Sequence, residues 1–133
     1  MILTKECDYA MRILRQLSDM EIHATSAVCD KESVPEKFAY KILKRLEHAL
    51  LVKSYRGKDG GYALLRDPGE ISLYDVILAI DGPLVLNNCL KNGVSCPNDS
   101  NEKHCFFHEE FQRMQEALIQ SFSEKTVGQV LKI

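Results

Sequence analysis

No stretch of this sequence approaches the roughly 20 consecutive apolar residues that a membrane-spanning helix needs. The apolar run of a secretory leader is missing as well, because Lys5, Glu6 and Asp8 interrupt the first ten residues. Both absences predict a soluble, cytoplasmic protein with no membrane partner. In a reducing compartment the five cysteines are expected as thiols or metal ligands rather than bridges. A 133-residue chain with 45% apolar residues buries a core without disulfides. Internal repeats and low-complexity tracts are absent. No base–nucleophile arrangement flanks the cysteines and no substrate-pocket motif stands out, so an enzyme is not expected. A large charge of one sign is lacking too: the net charge is −2, and bulk electrostatics do not announce a polyanionic partner.

The distribution of charge says more than its sum. Between residues 37 and 58 stand Lys37, Lys41, Lys44, Arg45, Lys53, Arg56 and Lys58 against one acid, Glu47. This local balance of +6 leaves −8 for the rest of the chain. Such asymmetry suits a face that meets polyanion while the remainder keeps the chain soluble, although a solvated basic face gives the same count.

Local patterns predict a mostly helical chain with one small β-hairpin. Thr4 suits the cap of a first helix running to about residue 20, with Tyr9, Ala10, Ile13, Leu14 and Leu17 as its apolar face. A short helix over 26–31, a turn at 32–34 and a helix over 35–49 follow, with Pro35 in the first turn of the last. At about 100° per residue, Lys37, Lys41, Lys44 and His48 share one narrow sector of that helix, with Tyr40 and Arg45 on its flanks. Phe38, Ala39, Ile42, Leu43 and Leu46 fill the opposite arc. A short helix, a tight turn and a helix with one greasy and one basic side make a helix-turn-helix, whose second helix fits the DNA major groove. Residues 51–55 and 62–65 read as two strands around the tip Arg56-Gly57-Lys58-Asp59-Gly60-Gly61. Alone, a glycine-rich tip is an ordinary turn. Directly behind a basic helix it reads as a DNA-binding wing, with Arg56 placed for a narrow minor groove. Ser26, Lys37, Tyr40, Lys41, Lys44, Arg56 and Lys58 are the expected DNA contacts.

Beyond the break at Pro68-Gly69, Ser72 and Asp75 form a capping-box pair for a helix over 73–80, stopped by Asp81-Gly82-Pro83. From Gly82 to His104 the chain has no period, only turn formers such as Asn87, Asn88, Asn92, Gly93, Pro97, Asn98, Asp99, Ser100 and Asn101. Loops of that length are usually functional or disordered. A helix follows over 106–122. Its stripe of Phe107, Phe111, Met114, Leu118 and Phe122 is too long for so small a body to cover, which points to a partner helix. Thr126 caps a last short helix. The expected organisation is a DNA-binding domain over 1–81, a cysteine-bearing sensor loop over 82–104, and a dimerisation helix with a short terminal helix over 105–133.

Cys89, Cys96 and Cys105 are spaced Cys-x6-Cys-x8-Cys, with His108 three residues after the last. Thiolates and imidazole are ligands for zinc or iron–sulfur clusters. The spacing matches neither zinc fingers nor ferredoxins, but a flexible polar loop lets three sulfurs converge, and Cys105 and His108 share a helical face. Unligated thiols and a metal-free thiol–disulfide switch remain the other readings of the loop. Cys7 and Cys29 are expected to act as small hydrophobes in the core. His23 and His104 read as surface histidines, His104 being a secondary ligand candidate beside Cys105.

Taken together, Tyr9-Ala10, the helix-turn-helix, the run from Leu51 through Arg56-Gly57 and Gly60-Gly61-Tyr62 to Leu64, Ile71-Ser72-Leu73-Tyr74-Asp75-Val76-Ile77, Asp81-Gly82, the three-cysteine loop and Thr126-Val127 resemble the IscR/NsrR type of bacterial regulator, the Rrf-two or BadM-type family. The resemblance covers nearly the whole chain. It implies a homodimeric winged-helix repressor or activator whose long helices cross at the interface. It would bind double-stranded DNA at a near-palindromic operator with its two recognition helices about 34 Å apart. It also implies an iron–sulfur cluster, 2Fe-2S or 4Fe-4S, held by Cys89, Cys96 and Cys105. The fourth ligand would be His108 in the cluster-supply branch, or Asp8 of the partner subunit in the nitric oxide branch. A thiol-redox or zinc-dependent regulator without a cluster is the alternative. The chain departs from the pattern in its longer cysteine spacings, in Ala49-Leu50 where a glycine is usual before the wing, and in Phe111 where tryptophan is common.

Overall fold

A computed structural model describes residues 3–100 and 103–133; Met1, Ile2, Glu102 and the expected turn former Asn101 lie outside the described residues. The Thr4 hydroxyl accepts from the Cys7 amide at 3.1 Å and opens α1, Lys5–Leu17. This helix buries Cys7, Tyr9, Ala10, Ile13, Leu14 and Leu17 at helical spacing. It stops three residues short of the expected end. Met20 takes a left-handed φ of 67°, and the Asp19 carboxylate accepts from the Glu21 amide at 2.9 Å, so the chain turns there. Helix α2, Thr25–Glu32, ends on Ser33 at φ 56°, which gives the sharp turn of the helix-turn-helix. Helix α3, Glu36–His48, starts one residue after Pro35, which caps it rather than sitting in its first turn. Its arc of Ala39, Ile42, Leu43 and Leu46 is buried against α1 and the later helices.

Two strands make the hairpin. Strand β1, Val52–Tyr55, pairs antiparallel with β2, Gly61–Leu64, in the register Val52↔Leu64 to Tyr55↔Gly61. Leu50, at the position of the usual glycine, adopts φ 61° and is 65% exposed. A non-glycine residue there carries a cost of about 1 kcal/mol that glycine would not. His23, between α1 and α2, lines up beside β2 as a one-residue third strand, exchanging backbone bonds of 2.9 Å with Tyr62. Only glycine fits at position 61, because a Cβ there would lie 2.0 Å from the His23 carbonyl oxygen.

Ser72 and Asp75 form both halves of the capping box for α4, Leu73–Asp81, at 3.0 and 2.8 Å. The cysteine loop carries more structure than its composition suggests: a 3-10 turn at Asn88–Leu90 and two bridges, Cys96↔Asp99 and Ser100↔Lys103. Helix α5, Phe106–Glu124, buries none of its described side chains fully. Phe111, Leu118 and Phe122 are half-buried, Phe122 packing on the core, whereas Phe106, Phe107 and Met114 stay exposed, the first two at 78% and 74%. Helix α6, Val127–Leu131, has its own capping box, Thr126 with Gln129, and returns to the first body. The Val127 amide donates to the Ile71 carbonyl at 2.8 Å, and Val127 joins the core.

One buried acid holds the first two helices together. The Glu32 side chain is only 4% exposed and lies at the C-terminal end of α2, where the helix dipole disfavours an anion. It accepts two bonds from the Arg15 guanidinium, one of them 2.9 Å from Nε, and one of 2.5 Å from Gln16. The Arg15 bonds, helped by Gln16, hold its pKa below the usual carboxylate range. A depressed folded-state pKa contributes stability that is complete above the unfolded value, about 4.3, and is lost as pH falls through the folded one. In denaturant titrations Glu32→Gln should therefore cost about 1–2 kcal/mol at pH 7, since Arg15 is half-exposed and screened. The deficit should shrink below pH 4.3. A pH profile parallel to the wild type's would remove Glu32 from the account.

Candidate nucleic-acid interface and cysteine loop

Burial of one arc of α3 turns the other toward solvent. Lys37, Tyr40, Lys41, Lys44 and His48 are all exposed. Lys37 lies over the Phe38 ring at 5.1 Å, and no acid pairs with Lys37, Lys44, Arg56 or Lys58 among the described residues. Ser26 is exposed in the first turn of α2. The hairpin brings Arg56 round to the same side. Lys44, Glu47, His48, Leu50, Ser54, Arg56 and Tyr62 line one open cleft of about 600 Å³ between α3 and the hairpin. Burial, with Glu47 and Tyr40 nearby, pushes the Tyr62 hydroxyl above its ordinary pKa and keeps it a neutral donor.

Two basic residues are less free than their sequence positions suggest. Lys41 Nζ lies 3.3 Å from Glu6 Oε1, and Arg45 Nη1 lies 2.8 Å from Glu6 Oε2. Arg45 Nη1 also donates to the Ile80 carbonyl at 3.1 Å. Arg45 is thus a brace from α3 to α1 and to the last turn of α4, while Lys41 keeps a half-exposed ammonium beside a carboxylate. Glu6 was not marked out by the sequence; its only signal is an acid on the polar edge of a helix that must pack beside a basic one.

Cys89, Cys96 and Cys105 are all partly accessible, outside the core. Cys89 lies in the 3-10 turn, its Sγ 3.6 Å from Asn87 Nδ2. Cys96, Cys105 and His108 gather around Asp99: its amide donates to the Cys96 carbonyl at 3.1 Å, its Oδ1 accepts from the Cys105 amide at 3.2 Å, and its Oδ2 lies 3.5 Å from His108 Nε2. His108 Nδ1 is buried and has no hydrogen-bond partner among the described residues. Among the described residues no three His, Cys, Asp or Glu side chains already stand in metal-binding geometry. Asp8 is exposed on α1, paired with Arg12 at 2.9 Å, at a groove shared with α6.

The remaining candidates divide clearly. Cys7 and Cys29 are buried, and burial, with Asp81 and Asp8 adding, pushes the Cys7 thiol up to about 11; burial raises Cys29 as well. Both are poor thiolates. His104 is exposed, pairing with Glu109 at 2.8 Å and edge-on to Phe106. His23 departs from the surface role expected of it: its ring is half-buried, Nε2 lies 2.9 Å from both Asp19 oxygens, and its backbone anchors the wing. That contact lowers the Asp19 pKa.

A helix-turn-helix followed by a paired hairpin defines a winged-helix protein. A sequence profile of the Rrf2 family, described as an iron-dependent transcriptional regulator, matches residues 3–133, and the chain belongs to that family. It is 30% identical over 104 residues, 74% of this chain and 69% of the relative, to an Rrf2-like helix-turn-helix transcriptional regulator of Rhodobacter capsulatus. Across six curated relatives the matched stretch spans from 54% to 80% of their lengths. Its fold is similar to CymR (YrzC), the global cysteine regulator of B. subtilis, with a TM-score of 0.79, 21% identity and coverage of 99% and 97% of the two chains. It is also similar to IscR of T. potens, with a TM-score of 0.74, 20% identity and coverage of 99% and 87%. No helix among the described residues is long and apolar enough to cross a membrane.

The ion-pair map orders the lysines. Each phosphate contact adds about 0.9 to the slope of log affinity against log salt. Lys44→Ala should reduce that slope on duplex DNA by about 1. Lys41→Ala should reduce it by less, because Glu6 already neutralises part of its charge, and Glu6→Gln should steepen it. Equal losses from the two lysine variants would contradict the map.

Proposed function

We propose that this chain is a cytoplasmic, homodimeric DNA-binding transcription regulator whose affinity for a near-palindromic operator is set by an iron–sulfur cluster on the loop of Cys89, Cys96 and Cys105. The observation that carries the DNA-binding half is the shared cleft. Lys44 of α3 and Arg56 of the wing line it together, and Lys37, Tyr40, Lys41, Lys58 and Ser26 are exposed as well. Helix α3 would enter the major groove, and Arg56 would reach toward a minor groove. The lysines position the protein on phosphate more than they read bases. Residues 1–81 would form the DNA-binding unit, 82–104 the sensor loop and 105–133 the dimerising segment. The exposed Phe106, Phe107 and Met114 on a helix about 28 Å long are the surface that a second copy would cover.

The loop's residues fit the cluster by donor chemistry. Three accessible sulfurs lie outside the core, and His108 Nδ1, three residues after Cys105, is buried without a partner among the described residues. The description of the family as iron-dependent supports the same choice. Cys89, Cys96 and Cys105 would hold the cluster, with His108 as fourth ligand or Asp8 of the partner subunit in its place. When bound, the cluster supplies a thiolate-ligated iron centre sensitive to iron supply and oxidation. The chain's own part is transmission. The loop leaves α4 at Gly82; Asp81 accepts from the Thr4 hydroxyl at 2.8 Å, and the Ile80 carbonyl holds Arg45 of α3. A shift at the root of the loop therefore bears on the recognition helix, and a ligand changes DNA affinity only by favouring one of two such arrangements.

Protein purified without oxygen should be brown and hold iron and acid-labile sulfide, and Cys96→Ser should lose most of both. A colourless anaerobic preparation carrying stoichiometric zinc would replace the cluster with the zinc or thiol alternative. It would leave the DNA-binding half standing.

A further inference from the structure

Asp99 is engaged three times within the cysteine loop. Its amide closes the turn from Cys96, one carboxylate oxygen takes the Cys105 amide, and the other lies 3.5 Å from His108 Nε2. One acid thus lies between two of the three loop cysteines and the imidazole. The Asp99 and His108 side chains are only about a quarter exposed, at 28% and 25%, so water screens their interaction poorly. The other ring nitrogen, Nδ1, is buried and faces no donor or acceptor among the described residues.

We infer that Asp99 is a positioning residue that keeps the His108 proton on Nε2 and presents the Nδ1 lone pair, so that His108 binds the loop's iron through Nδ1. The inference rests on the cluster reading above. A carboxylate facing an N–H attracts it, whereas one facing a lone pair repels it, so Nε2 carries the proton of the neutral ring. At 3.5 Å the contact is longer than an ordinary hydrogen bond and acts chiefly as an electrostatic bias. Histidines that bind metals typically give their other ring N–H to a carboxylate, which fixes the tautomer and raises ligand basicity. The opposite arrangement, with Nε2 as ligand, would break the Asp99 contact and bury an Nδ1–H with no acceptor. The Asp99 carboxylate also holds the Cys105 amide, so its loss should loosen Cys105 and His108 together, while the backbone bond to the Cys96 carbonyl survives.

The test uses the full chain with 15N-labelled histidine. In the iron-free protein at a pH where the ring is neutral, long-range 1H–15N spectra should show His108, assigned with His108→Gln, protonated at Nε2 alone. Asp99→Ala should give a mixture of tautomers in a protein that still unfolds in a single cooperative transition. Protonation at Nδ1 in the wild type overturns the inference, as does an Asp99→Ala spectrum identical to it. After anaerobic reconstitution with ferrous iron and sulfide, pulsed EPR of the reduced cluster should show a strongly coupled nitrogen that follows a label at Nδ1. Asp99→Ala should lose its cluster about tenfold faster. Coupling that follows an Nε2 label, or no coupled nitrogen, refutes Nδ1 ligation while leaving the cluster in place. A protein that takes up neither iron nor sulfide instead defeats the cluster reading, and Nδ1 ligation with it.

Discussion

The packing of α3 is the constraint on which the rest depends. Ala39, Ile42, Leu43 and Leu46 are almost completely buried, and fully burying side chains of the larger kinds stabilises by about 1.5–3 kcal/mol each. A helix has only one orientation that satisfies that arc. Once it is satisfied, Lys37, Lys41 and Lys44 have nowhere to point but outward. The same packing places the C-terminal end of α3 beside the hairpin, which carries Arg56 to the edge of the same cleft. The basic surface is thus a by-product of the hydrophobic one.

Polar contacts then set the angles that apolar burial leaves loose. Glu6 and Arg45 tie α3 to α1, Arg45 reaches on to α4, and Glu32 ties α2 to α1. His23 and Gly61 bring the linker after α1 against the wing so closely that a side chain at position 61 has no room. The helix-turn-helix and the wing are therefore parts of one braced unit, rooted at α4. The cysteine loop grows from the end of α4, and α6 returns to cap the start of the same helix. The root of the loop is therefore joined to α3 and α1 by a short bracket of contacts, Ile80 to Arg45 and Asp81 to Thr4.

Much of this was legible in the residues. The period of α3, the strand–tip–strand pattern of the wing and the Ser72–Asp75 capping pair all specify local structure through local chemistry, and each element stands where its pattern placed it. Several of the boundaries that moved were decided by single residues in unusual conformations: Met20, Ser33 and Leu50, all left-handed without being glycine. Nothing in their side chains announces that. Contacts distant in sequence were also hidden. Glu6 meets Lys41 and Arg45 only after α1 and α3 pack, and Asp99 looked like one more turn former among asparagines until the fold set it between Cys96, Cys105 and His108. His23 looked like surface because its partner, the backbone of Tyr62, lies across the wing.

The central claim is that one face, made of α3 and the wing, meets DNA. Its most direct measurement is amine-modification footprinting of the intact chain, with and without saturating duplex DNA at low salt, read by mass spectrometry. The account predicts strong protection of Lys37, Lys44 and Lys58, weaker protection of Lys41, and unchanged labelling of the exposed Lys91, Lys125 and Lys132. Protection spread evenly over all lysines, or concentrated on the last three, would contradict it.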